Sequence, residues 1–131
     1  MAIKPTETTA RLVAMFRDNC LAQDETYISG NTRKYNKLFL VNVDIVNELA
    51  SRPGDERRAL LPLLHDENPH VRLQAAKFAY PVAPVECRAC LEAIRAAKLP
   101  DQSLDAGMTL RGLSQDPHCL DGTSSAKREP Q

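Results

Sequence analysis

Apolar positions along this chain recur mainly at intervals of three and four residues, which predicts a succession of about six helices. Over residues 6–29, Leu12, Val13, Phe16 and Cys20 fall on one stripe of a first helix. Thr6 or Thr8 can cap it, Pro5 lies just outside, and Gly30-Asn31 supplies the stop. A second helix is expected over residues 32–52, closed by Pro53-Gly54, with Tyr35, Leu38, Phe39, Val46 and Leu49 toward the core. Its LFLVNV stretch is β-branched enough to suggest a strand, but the helical spacing continues to Leu49 and decides for helix. Asn42 falls in the middle of that apolar face. An unpaired amide there would cost a few kcal/mol, so a hydrogen bond to a neighbouring helix is expected. Leu40 and Val41 point away from the face, which implies either a helix covered on several sides or a contact surface.

A third, short helix is expected over residues 55–65, capped by Asp55, bent at Pro62, with Leu60, Leu61, Leu63 and Leu64 in the core. Residues 66–69 read as a polar turn, with Pro69 opening a fourth helix over 70–80 that is rich in alanine. A fifth over 85–98 places Cys87, Cys90, Leu91 and Ile94 on one face. A last helix over 104–113 can bury Leu104, Met108 and Leu110. From Asp116 the composition turns polar, so residues 116–131 read as a flexible tail after one domain over 1–115.

Length and composition agree with one helical domain: 131 residues, 43% hydrophobic and 26% charged. Seventeen basic residues balance seventeen acidic ones, and only 5% of residues are aromatic, which disfavours nucleic acid as the partner. The longest apolar run, residues 38–41, is far short of the roughly 20 residues a membrane span needs, and charges interrupt the first 20 residues. With four cysteines and no leader pattern, the expectation is a soluble cytoplasmic protein with reduced thiols.

The segment LLPLLHDENPHVRLQAAKFA, residues 60–79, resembles a HEAT-type repeat: an apolar helix, a turn containing Asp, then Val-Arg and spaced alanines on a second helix. The resemblance implies that Val71 enters the core and that Asp66 and Arg72 stabilise the turn. Charge-assisted bonding suits that pair. Pro62 sits later in its helix than the usual repeat proline. Together with Thr32-Arg33-Lys34 and LDAGMTLRGL at 104–113, this stretch is similar to the small bacterial family called domain of unknown function 2019. That family implies a short αα-superhelix of HEAT or armadillo type. It implies no activity, cofactor or catalytic residues.

Candidate chemistry is sparse. Cys87-Arg88-Ala89-Cys90 is a CxxC near a helix start, where a thiol can be activated, but both cysteines continue an apolar stripe and read as buried structural thiols. His118 and Cys119 do not complete a recognised zinc pattern, so no metal or cofactor is expected. His65 suits a helix C-terminus, and no catalytic signature accompanies it or His70, so the chain reads as a non-enzyme. Arg52, Arg57 and Arg58 read as solubilising charge offset by Asp55 and Glu56. On the fourth helix His70, Gln74 and Lys77 form a polar stripe, which in a HEAT-like stack would line the partner-binding side. The expected function is a protein-binding module of adaptor or immunity type. A nucleic-acid-associated HEAT-like domain and a thiol-redox protein using Cys87 and Cys90 are the alternatives.

Overall fold

The computed structural model describes residues 3–121, so residues 122–131 of the expected tail lie outside the described residues. Every regular element among the described residues is helical: α1 (Thr9–Ser29), α2 (Thr32–Ser51), a 3-10 helix (Glu56–His65), α3 (Pro69–Ala79), a short 3-10 turn (Tyr80–Val82), α4 (Pro84–Ala96) and α5 (Gln102–Gln115). None of these helices is long and apolar enough to cross a membrane. The described chain divides into two compact units, residues 3–59 and 60–121.

The first unit is a helical hairpin of α1 and α2. Thr8 sets the start of α1 by accepting the Arg11 N–H at 3.1 Å. Gly30 ends it in the left-handed region, φ 71°, and donates its N–H to the Thr26 carbonyl at 2.8 Å. Asn31 then accepts the Lys34 N–H at 3.0 Å and starts α2. Leu12, Phe16 and Cys20 from α1 are buried, as are Val43, Ile45, Val46 and Leu49 from α2. Val13, Tyr35, Leu38 and Phe39 are only half-buried, so the hairpin core lies further along α2 than the expected face.

Asn42 is buried and bonded to α1. Its Oδ1 accepts from Asn19 Nδ2 at 2.9 Å, and its Nδ2 points to the Phe16 carbonyl at 3.5 Å and Cys20 Sγ at 3.6 Å. Arg52 and Arg57 are structural and not loose surface charge. Arg52 bonds Glu48 at 3.0 Å, Thr9 Oγ1 at 3.1 Å and the Glu7 carbonyl at 2.6 Å, tying the end of α2 to the start of α1. Arg57 is buried and forks onto the Asp55 carboxylate. That side-chain bond holds the Asp55 carboxyl below its ordinary value.

The expected third α-helix is a 3-10 helix instead. Pro62 carries no N–H and its ring crowds the carbonyl four residues back, which disfavours the α ladder through its turn. With three residues per turn, Leu60 and Leu63 stack on one side, and both are buried.

The second unit packs α3, α4 and α5 on one another. Asn68 caps α3, its Oδ1 accepting the N–H groups of His70 at 2.8 Å and Val71 at 3.1 Å, with Pro69 as the first helical residue. Cys87, Leu91 and Ile94 on α4 are buried, and so are Ala106, Leu110 and Leu113 on α5. Leu104 and Met108 depart from the expectation that they enter the core: they are 66% and 64% exposed. On α5 the 106, 110, 113 stripe faces inward, and residues 104 and 108 lie on another face.

Candidate functional site

The polar stripe expected to bind a partner is not a solvated face. His70 is fully buried and Gln74 is 1% exposed, while Lys77 is half-buried and spans to Asp105 on α5 at 3.0 Å. The reason lies in α3 itself. Its buried positions, 70, 71, 73, 74, 75, 76 and 79, run round the helix and leave no continuous wet side. The Lys77–Asp105 bridge is partly exposed, so Lys77→Ala is expected to cost at most about 1 kcal/mol by urea unfolding.

Around the turn before α3, Arg72 Nη1 donates to the main-chain carbonyls of Asp66 at 2.7 Å and Glu67 at 3.2 Å. Asp66 uses its Oδ1 to accept the Asn68 N–H at 2.9 Å. The turn is therefore organised by a guanidinium on backbone carbonyls and a carboxylate on a backbone N–H. Val71 is fully buried beside it.

Cys87 and Cys90 are both free thiols. Burial pushes the Cys87 thiol up to about 12, with Cys90 and Glu86 adding to the effect. Burial also raises Cys90, against the opposing pull of Arg72. Cys90 Sγ lies 3.8 Å from the carbonyls of Leu64 and Arg72, on the wall of a cavity of about 420 Å³ that Ile94 and Ala93 also line. A thiol moved from 9.0 to about 12 has roughly a thousandfold less thiolate at neutral pH. Iodoacetamide is therefore expected to label Cys87 only on unfolding, with half-buried Cys90 reacting faster than Cys87; equal, rapid labelling of both in the folded protein would contradict this placement.

A second concavity, about 650 Å³, lies between α4 and α5. Gly107 on α5 faces the Arg95 stem on α4, and a methyl group placed there would make ordinary contact with Arg95 Cδ at 3.5 Å. The walls carry three arginines, Arg88 and Arg95 from α4 and Arg111 from α5, against one carboxylate, Glu92. Glu92 lies 3.9 Å from Arg88. Among the described residues, neither the Arg95 nor the Arg111 guanidinium has an ion-pair partner. Leu104 and Met108, one helical turn apart, complete the lining with exposed apolar surface. Among the described residues no group of three or more His, Cys, Asp or Glu is placed to hold a metal ion.

Residues 10–114 match the family described as domain of unknown function DUF2019. The chain belongs to that family. The DUF2019 match takes in all of α4 and α5 up to Ser114, and so all the groove residues named above. The chain is also similar to a solved structure, that of the protein RPA1889 from Rhodopseudomonas palustris CGA009. Identity is 41%, the alignment covers 88% of this chain and 96% of that one, and the TM-score is 0.86. Comparison with curated proteins finds no match.

Sequence reasoning missed the groove because its members are scattered over residues 88–114 and each is unremarkable alone. One signal was available. Arg88 and Arg95 are seven apart on a helix, hence on one face, and Leu104 and Met108 are four apart on the next.

Proposed function

We propose that this DUF2019 chain is a non-enzymatic protein-interaction module, a short HEAT-like helical scaffold of the adaptor or immunity type. The observation that supports the reading is the pair Leu104 and Met108, large apolar side chains left mostly exposed side by side on the rim of the α4–α5 groove. Contiguous exposed apolar surface with a polar surround is the kind of surface that association buries. The HEAT-like element of the proposal draws on the turn before α3, where Arg72 closes onto the Asp66 carbonyl and Val71 enters the interior. The binding face is placed at the groove and not at His70 and Gln74, whose burial removes them from reach of a partner.

The test is capture of partners on the full chain in its native host, followed by titration of a purified candidate in a calorimeter. A saturable complex of fixed stoichiometry is the expected result. Salt-sensitive binding of nucleic acid with no protein partner would favour the nucleic-acid alternative, and disulfide exchange turnover through Cys87 and Cys90 would favour the thiol-redox one.

A further inference from the structure

We propose that the α4–α5 groove receives an acidic amphipathic helical segment of a partner protein, with apolar side chains against Leu104 and Met108 and carboxylates on Arg95 and Arg111. The inference rests on the protein-interaction reading above and adds the site and the chemistry of what it takes.

Charge complementarity carries the choice of occupant. The chain as a whole is neutral, seventeen basic residues against seventeen acidic, yet this groove gathers three arginines and one glutamate. Glu92 sits near Arg88, which leaves the guanidiniums of Arg95 and Arg111 without a carboxylate among the described residues. Guanidinium groups bind carboxylates through paired, nearly parallel hydrogen bonds, so two uncommitted ones beside a groove select an anionic guest. The Arg95 stem lies near Gly107, and among the described residues its exposed guanidinium makes no ion pair that a guest would have to break.

Spacing and apolar lining select a peptide over other anions. Arg95 on α4 and Arg111 on α5 stand on the two helices that wall the groove, so a segment laid along it meets both guanidiniums. The 13 residues of α4 run about 20 Å, room for three to four turns of a partner. Leu104 and Met108 at one-turn spacing match the apolar stripe of such a helix, and Met adapts its shape to what it meets. Nucleic acid fits less well, because no aromatic ring lines the groove on which a base could stack.

The test uses the full chain and a fluorescein-labelled 14-residue peptide with leucines on one face of a helix and glutamates on the other, followed by fluorescence anisotropy. Two control peptides replace every Glu by Lys or every Leu by Ser. Binding of the Glu/Leu peptide at least tenfold tighter than either control is expected. The double variant Arg95→Glu, Arg111→Glu should weaken that peptide at least tenfold, with an unchanged circular dichroism spectrum and melting transition. A second variant, Leu104→Ser with Met108→Ser, should weaken it comparably while leaving the arginines in place. Equal binding of the Lys peptide, or indifference to both variants, would overturn the proposal. A DNA duplex bound more tightly than the Glu/Leu peptide, and lost in the arginine variant, would overturn it in favour of a nucleic-acid groove. A purified native partner that binds both variants as well as the unaltered chain would sink the groove assignment and leave the protein-interaction reading standing. Failure of that partner to bind the unaltered chain would sink both.

Discussion

Gln74→Glu is expected to destabilise the fold by roughly 3–4 kcal/mol at neutral pH and by almost nothing near pH 3.5, measured as the difference from the unaltered chain in urea unfolding at each pH. The exchange is nearly isosteric, so no cavity opens and the charge alone is tested. Gln74 is 1% exposed. A carboxyl group there is held neutral by burial, and a folded-state value raised by about 2–3 units above the unfolded 4.3 corresponds to the quoted cost at about 1.4 kcal/mol per unit. The sign follows from proton binding. Below the unfolded value both states are protonated and the penalty is absent. As pH rises the unfolded chain ionises first, stability falls, and the loss is complete once pH exceeds the raised folded value. Equal stability of the two proteins at pH 7 would mean that residue 74 is wet, and the His70, Gln74 and Lys77 stripe would return as a candidate binding face.

That expected outcome contrasts with what the sequence pattern suggests for the same helix, and the contrast shows where sequence reading works here. Helix ends were legible because their signals are local. Thr8, Gly30 with Asn31, and Pro69 each act within four residues, and each sits where a cap or first turn needs it. Asn42 was legible for a related reason: a polar side chain inside an apolar stripe has to be bonded, and its partners on α1 are Asn19, the Phe16 carbonyl and Cys20.

Solvent exposure of α3 was not legible, since reading a polar stripe as wet assumes a helix with one dry side. Gln74 and His70 obey the spacing and are buried nonetheless. The helix did carry a warning: Arg72 and Lys77 are its only charged residues, and a helix so poor in charge is more often surrounded than amphipathic. The 3-10 geometry at Glu56–His65 is not legible for a different reason: Pro62 signals a broken α ladder, and periodicity alone does not say whether a bend or a 3-10 helix replaces it. On α5 two apolar stripes compete, 104 with 108 and 106 with 110 and 113, and both keep helical spacing. Bulk would choose the first. The fold buries the second, in which the small Ala106 takes an inward position with Leu110 and Leu113.

The two faces of α5 should separate cleanly by mutation. Leu113→Ala is expected to lower stability by about 2–5 kcal/mol, a large share of the total for a small domain, because Leu113 is 2% exposed and truncation leaves a cavity that its neighbours refill only in part. Met108→Ala on the same helix should change stability by no more than about 0.5 kcal/mol, since a residue 64% exposed loses little packing and alanine is at least as good a helix former. Urea unfolding of both variants measures the difference directly, and a cost at Met108 close to that at Leu113 would show that the outer face is packed within the fold. The separation has a functional consequence. In the free chain the apolar surface of Leu104 and Met108 stays hydrated, at roughly 25 cal/mol for each Å² that a partner could cover. Side chains that contribute little to folding and retain unburied apolar area are free to contribute to association, so substitutions there can weaken a complex while the melting transition stays where it was.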